Sequence, residues 1–182
     1  MDEYIELAKE IRAAKHPSCN FLFLAGSLIR GEGTRFSDLD IVVIYEKVEK
    51  AYRESFIFNG VMVETFVHDP ETVDFFVDEF DKQDGNSALA QMIVEGIEIP
   101  SATILSQQLK AWARESILRG PDACNQQEIM NMRYAVTNII DDIRDYRSES
   151  ELLGSLTCLY SSLAQFFFRA NRHWNGGEPK LC

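Results

Sequence analysis

The most constraining feature of the sequence is a pair of short apolar segments that enclose a polar stretch. Residues 21–24 are Phe-Leu-Phe-Leu, and Gly26 and Ser27 follow closely. After ten intervening residues, Asp38 and Asp40 open a second segment, which continues as Ile-Val-Val-Ile. Short apolar runs bounded by polar, glycine-containing stretches are typical of buried strands. We therefore expect a buried sheet with a polar, acidic edge.

The acids at this edge are predicted to form a cluster. Side chains alternate between the two faces of a strand, so Asp38 and Asp40 share a face. A third acid, Glu64, interrupts an apolar strand further along the chain. Like charges ~4 Å apart repel by ~4 kcal/mol at an effective dielectric constant of 20. Magnesium ions relieve such repulsion, and two of them can clamp the attacking and leaving oxygens of a displacement.

Gly26 and Ser27 are candidate phosphate-binding residues. A glycine just after a strand lets the backbone approach a phosphate closely. The N–H groups that begin the following turn or short helix would then face the anion. Arg30 could contact the same phosphate, or pair instead with Glu32 or Asp38, and the sequence favours neither alternative.

The pattern hydrophobic-Gly-Ser, about ten residues, then Asp-hydrophobic-Asp-hydrophobic resembles the signature of the DNA polymerase β-like nucleotidyltransferases. The string from Gly26 to Ile41 is close to that of the minimal and aminoglycoside-type members. The resemblance implies that Asp38 and Asp40 bind magnesium, that Glu64 completes a two-ion site, and that Gly26 and Ser27 hold the β- and γ-phosphates. It also implies a nucleoside triphosphate substrate, with ATP as the expected nucleotide.

The fold expected is α/β, with a small mixed sheet followed by a C-terminal helical bundle. We place a nucleotidyltransferase domain at residues 1–83 and a helical domain at 84–182. Asn59-Gly60 between two apolar runs predicts a type I′ hairpin. Asp69-Pro70 predicts the start of a helix that runs to about Asp81. Residues 46–54 are compatible with either helix or loop.

The helical half is predicted from two apolar stripes, over residues 126–146 and 150–172, that recur at bundle-helix spacing. The aromatic run of residues 166–168 is expected in the bundle core. Relatives usually continue beyond a W-x-G-x-G-K-like stretch, which residues 174–180 resemble imperfectly. The helical domain is therefore either short by nature or C-terminally truncated, and its completeness for activity stays open.

The charge balance constrains the acceptor. The chain has 18 Lys+Arg and 29 Asp+Glu among 182 residues, a formal net charge of −11. Nucleic-acid binders usually carry a basic stripe, so this balance disfavours DNA or RNA. The acidic N-terminus is unlike a signal peptide, and no apolar run reaches the ~20 residues that span a bilayer. The cysteines lack metal-ligand spacing, which favours free thiols in a reducing compartment. A cytoplasmic protein without membrane contact is expected.

Each candidate site residue also has a structural interpretation. Asp38 and Asp40 could be a turn or capping pair, and Glu64 a solvent-facing strand residue. Glu95 and Lys110 could face the acceptor as base and phosphate contact, or lie on solvated helix faces. Our hypothesis is transfer of a nucleoside monophosphate to a hydroxyl on a small, cationic molecule, with release of pyrophosphate. One alternative is an antitoxin-type module that binds or adenylylates a helical protein partner, and another is a degenerate family member that binds nucleotide without turnover.

Overall fold

The computed structural model describes residues 2–175. Its elements, in chain order, are α1 (Asp2–Lys15), β1 (Phe21–Ala25), α2 (Ser27–Arg30), β2 (Leu39–Ile44), β3 (Tyr52–Phe58), β4 (Val61–His68), α3 (Pro70–Phe75) with a π-helical continuation (Phe76–Asp81), α4 (Lys82–Asp84), α5 (Ala88–Glu95), β5 (Ile97–Ile99), α6 (Ile104–Arg119), α7 (Gln126–Arg144) and α8 (Glu149–Ala170). The predicted mixed α/β fold is confirmed.

Within the described residues, the sheet has five strands in the order β3-β4-β2-β1-β5. The β2–β4 pair is parallel and the other pairs are antiparallel. The predicted hairpin is confirmed: Asn59 and Gly60 both have positive φ, 49° and 83°, as a type I′ turn requires. This hairpin fixes which residues of β3 face Glu64.

The strands carry apolar side chains on both faces, which explains their unbroken hydrophobic sequence. On one face, Leu7, Ala8 and Ile11 of α1 pack with buried residues of the sheet interior. On the other face, helices α3, α5 and α6 contribute Val73, Ile93 and Ala113 to a second core. Fully burying a side chain such as Ile11 stabilises the fold by about 1.5–3 kcal/mol. The acidic residues lie at the end of the second face.

The predicted start of α3 is also confirmed. Asp69 accepts a hydrogen bond from the N–H of Thr72 at 2.8 Å, the Thr72 hydroxyl accepts one from the N–H of Asp69 at 2.9 Å, and Pro70 is the first helical residue. The helix does not end near Asp81 as predicted. A π-helical turn over Phe76–Asp81 carries it on to Asp84, and Gly85 ends it with a φ of 75°.

One strand interrupts the helical domain expected over residues 84–182. Ile97–Ile99 pairs with β1, with Leu22 opposite Ile99. A three-residue strand at a sheet edge has almost no local periodicity, and its pairing partner lies more than seventy residues earlier. Residues 46–54, for which the sequence favours neither helix nor loop, contain no helix and include the start of β3 at Tyr52.

The chain divides into two compact units. The first contains residues 1–80 and 88–119, and the second contains 81–87 and 120–182. The first unit therefore includes α5, β5 and α6 in addition to the elements expected before residue 83. The domain boundary at residue 83 stays a prediction. Residues 176–180 of the tryptophan-containing stretch, like the last two residues, lie outside the described part.

In the second unit, helices α7 and α8 form as the two apolar stripes predict. Val136 and Ala164 are buried. The aromatic run was expected in the core, but this is wrong for Phe167, which is 55% exposed. It belongs to a line of exposed apolar side chains on α8 that recur every three or four residues: Leu153, Leu156, Tyr160, Leu163 and Phe167.

Candidate metal and nucleotide site

Sheet register brings the three predicted carboxylates together. The parallel pairing of β2 with β4 places Asp40 directly opposite Glu64. Asp38 comes just before β2 and two positions before Asp40, so it points to the same side. One carboxylate oxygen from each residue lies within 4.8 Å of the others. The convergence expected from the sequence is present, while the catalytic and metal-binding roles of the three residues stay predictions.

Glu64 is held by two polar neighbours from the adjacent strand. Its Oε1 accepts a hydrogen bond from Nε of Arg53 at 2.6 Å and another from Oγ of Ser55 at 3.0 Å. The Nη2 atom of Arg53 forms an ion pair with the same oxygen. Glu64 is only 8% exposed, so the interpretation as a solvated strand residue is wrong. Sequence reasoning missed Arg53 and Ser55, although the hairpin register places Ser55 opposite Glu64.

Within the cluster, Asp40 is the carboxyl group whose pKa is raised. Burial, with the nearby charges of Asp38 and Glu64, raises the pKa of this carboxyl from 3.8 to about 6. Arg30 and Arg53 oppose the rise. A group whose charged form is disfavoured in this way gains most from a bound cation. Three carboxylates with an excess of negative charge are the oxygen donors that magnesium prefers, so these residues fit a magnesium ion.

Gly26 is required by the close approach of the neighbouring strand. Its φ is 83°, and a Cβ at this position would lie 2.8 Å from Cγ of Asp40. A side chain is therefore excluded twice, by the left-handed backbone and by the carboxylate beside it. Ser27 follows as the first residue of the short helix α2. The Gly-Ser pair thus adjoins the acidic cluster directly.

Glu95 forms a contact at this turn that the sequence did not resolve. Its Oε1 accepts hydrogen bonds from the Gly26 N–H at 3.3 Å and from Nη1 of Arg30 at 2.7 Å. Arg30 also donates from Nε to Glu32 at 2.9 Å. A carboxylate thus binds the backbone N–H and the guanidinium that were predicted to bind phosphate. The interpretation of Glu95 as a solvated helix residue is wrong, because its side chain is 26% exposed and bonded to the turn.

Lys110 does not lie on a solvated face either. It is 9% exposed, and its Nζ donates to the Gly96 carbonyl at 2.6 Å and to Glu98 at 3.0 Å. The lysine therefore anchors β5 to α6, and these contacts account for its burial. A role in binding phosphate is not needed to explain it.

Comparison with known protein families gives a match over the residues that form this site. Residues 5–101 match the model of the nucleotidyltransferase domain family. This chain belongs to that family. Nucleotidyl transfer is the reaction of the family, and its members typically use a divalent metal. The matched residues include all three acids and the Gly-Ser turn, and they support the resemblance to polymerase β-like nucleotidyltransferases.

Among solved structures, the chain is similar to a nucleotidyltransferase-like protein from Exiguobacterium sibiricum 255-15. The identity is 15%, with a TM-score of 0.44, and the match covers 91% of this chain and 54% of that one. The chain thus spans about half the length of this structural relative. A search of curated proteins finds no match. Among residues 2–175, none of the helices has the length and apolar character needed to cross a membrane.

Proposed function

We propose that the protein transfers a nucleoside monophosphate from a nucleoside triphosphate to an acceptor hydroxyl, with release of pyrophosphate. The observation that carries the proposal is the convergence of Asp38, Asp40 and Glu64, with Asp40 opposite Glu64 in the parallel pair of β2 and β4. Helix capping does not explain why Asp38 and Asp40 lie side by side, because neither acid precedes or begins a helix in the described part of the chain. Burial, together with the charges of Asp38 and Glu64, raises the pKa of Asp40, and a bound cation would favour its ionised form.

In this proposal each residue has a separate role. Asp38, Asp40 and Glu64 would hold magnesium, which supplies charge neutralisation and alignment of the reacting oxygens. Glu64 would also accept the proton of the attacking hydroxyl. Gly26 and Ser27 would bind the β- and γ-phosphates. This chemistry requires mainly positioning and electrostatic stabilisation from the protein.

Arg30 would bind the same phosphates once it leaves Glu95. Its guanidinium and the Gly26 N–H share one carboxylate oxygen. A triphosphate offers several anionic oxygens of the same kind, so it can replace that carboxylate on both donors. We infer that ATP is the nucleotide and that Glu95 competes with it.

The acceptor we favour is a small cationic molecule. The formal net charge of −11 opposes the approach of polyanions and favours cations. The cytoplasmic location inferred from the sequence is part of the same proposal.

The test is pyrophosphate release with magnesium and each of the four ribonucleoside triphosphates, against a panel of polyhydroxylated amines such as aminoglycosides. We expect acceptor-dependent release with one nucleotide, lost in Asp40→Asn. Asp74→Asn, which changes an exposed acid on α3, is the matched control and should retain activity. Release that survives Asp40→Asn would remove this mechanism.

A helical protein partner remains the second candidate, and α8 is the observation that favours it. The exposed apolar side chains of α8 follow the three-four spacing of a coiled-coil seam. Between Glu151 and Arg169 the helix carries no charged residue, although the whole chain is strongly acidic. A partner helix could pack on such a seam without charge repulsion.

The second candidate is tested by co-expression with any small helical protein encoded next to this one. A stable complex that Leu156→Glu disrupts, together with incorporation of labelled AMP into the partner, would support it. Turnover of a small molecule with no such complex would favour the first candidate.

A further inference from the structure

Arg53 is the cation that pairs with the third carboxylate of the cluster, Glu64. Its Nε and Nη2 both contact Oε1 of Glu64, the first at 2.6 Å. The hydroxyl of Ser55 donates to the same oxygen at 3.0 Å. Because Ser55 lies opposite Glu64 in the hairpin, Arg53 reaches the carboxylate diagonally from two residues away. The guanidinium also lies over the Phe66 ring, 5.4 Å from its centroid.

The two partners of this ion pair differ in their freedom to move. The side chain of Glu64 is 11% exposed, whereas that of Arg53 is 64% exposed. The carboxylate is therefore fixed within the sheet, and the guanidinium lies at the rim. Loss of Arg53 alone would leave the buried carboxylate without a counter-charge, so the guanidinium leaves readily only when another cation takes its place. The exposed guanidinium can then turn towards solvent, while Glu64 stays within the sheet.

We propose that Arg53 is the resident counter-ion of the third carboxylate and that a divalent ion binds the triad in competition with it. The inference rests on the proposed function, because it takes Asp38, Asp40 and Glu64 as the metal site. The three acids and Arg53 together carry a formal charge of −2, compared with −3 for the acids alone. A second cation next to the guanidinium is repelled, so the protein binds metal weakly on its own.

The competition couples metal binding to nucleotide binding. A triphosphate is a polyanion, and it gives the exposed guanidinium a new partner that forms charge-assisted hydrogen bonds. Transfer of Arg53 from Glu64 to the phosphates releases the carboxylate for the metal. By linkage, each ligand then raises the affinity of the protein for the other. Arg53 is in this view a positioning residue, which acts through Glu64.

The test measures Mn²⁺ binding to the nucleotide-free protein by electron paramagnetic resonance at pH 8. We expect Arg53→Met to bind Mn²⁺ about three- to tenfold more tightly than the wild type, because a repelling charge has been removed. Arg53→Lys keeps the charge and should stay within about twofold of the wild type. A purely structural role for Arg53 would not predict tighter metal binding.

Lys15→Met is the matched control. Nζ of Lys15 pairs with Glu54 at 3.7 Å and lies 4.6 Å from the centroid of the Phe56 ring. Like Arg53, it therefore contacts one carboxylate and one aromatic ring of the hairpin. Glu54 and Ser55 are adjacent on β3 and point to opposite faces, which places Lys15 on the face away from the triad. Its replacement changes the net charge equally and should leave Mn²⁺ affinity unchanged.

The outcomes separate this inference from the proposed function. If Asp40→Asn abolishes Mn²⁺ binding while Arg53→Met binds no more tightly than the wild type, the inference about Arg53 is wrong and the metal site stands. If Asp40→Asn binds Mn²⁺ as well as the wild type does, the metal site is wrong and the inference is overturned with it. Tighter binding by Arg53→Met and Lys15→Met alike would show a general charge effect and would also refute the inference.

Discussion

The substitution Asp40→Asn should stabilise the metal-free protein, although it removes a residue proposed to be essential. In the folded chain the pKa of Asp40 is about 6, compared with an ordinary value of 3.8. The ionised carboxylate is therefore disfavoured by folding, chiefly through burial and secondarily through the charges of Asp38 and Glu64. Such a difference corresponds to at most about 3 kcal/mol at neutral pH. Asp40 is partly exposed, so solvent screening lowers the expected gain to about 1–2 kcal/mol.

The pH dependence follows from the direction of the pKa shift. Because the folded state holds its proton more tightly than the unfolded state, protonated Asp40 contributes stability that is fully present below about pH 4. That contribution is lost as the pH rises through about 6. The advantage of Asp40→Asn over the wild type should therefore be largest above pH 7 and should decrease between pH 7 and pH 5.

Urea unfolding in EDTA at several pH values measures this difference. Asp74→Asn is the control, since it removes an exposed acid of α3 and should change the free energy of unfolding by less than about 0.5 kcal/mol. If Asp40→Asn is less stable than the wild type at pH 8, or if its advantage grows as the pH falls, the electrostatic strain inferred at the triad is absent.

Two further substitutions test the Gly-Ser turn. Gly26→Ala and Gly60→Ala both place a side chain at a φ of 83°, but only the side chain at Gly26 meets neighbouring atoms. In thermal or urea unfolding, Gly26→Ala should therefore lose about 1–3 kcal/mol more stability than Gly60→Ala. Equal losses would show that the close approach to β2 is unimportant. Glu95→Gln should bind ATP several-fold more tightly than the wild type in a calorimetric titration, because the competing carboxylate charge is gone. The control is Glu32→Gln, which also removes a carboxylate charge from Arg30 but leaves the contact between Glu95 and the Gly26 N–H intact. It should increase the affinity for ATP less than Glu95→Gln does. Weaker ATP binding by Glu95→Gln would mean that Glu95 supports the phosphate site and does not compete for it.

Much of the site could be predicted from sequence because local patterns determine it. Alternation along a strand places Asp38 and Asp40 on one face, and the Asn-Gly turn fixes the register of the hairpin that carries Glu64. These signals act over a few residues and depend on side-chain periodicity. Local periodicity does not specify which strands are neighbours, so the pairing of β2 with β4 was not predicted. Only the family resemblance joined Glu64 to the two aspartates.

The partners of the site residues were less predictable, for a physical reason. Glu95 reaches Gly26 across 69 positions of the chain, and this contact depends on how α5 packs against the sheet. Lys110 and Glu98 pair because β5 adds to the sheet edge, and that strand is too short to have a detectable pattern. Long-range packing decides these contacts, and charged residues at such positions look like ordinary surface residues in the sequence.

The central claim is that the three carboxylates bind a divalent ion together with a nucleoside triphosphate. The most direct measurement is anomalous diffraction from crystals grown with Mn²⁺ and a non-hydrolysable ATP analogue. The account predicts an anomalous peak about 2.1 Å from oxygens of Asp38, Asp40 and Glu64, with the phosphates next to Gly26 and Ser27. A nucleotide bound with no anomalous peak at these residues, or with the metal held elsewhere, would contradict it.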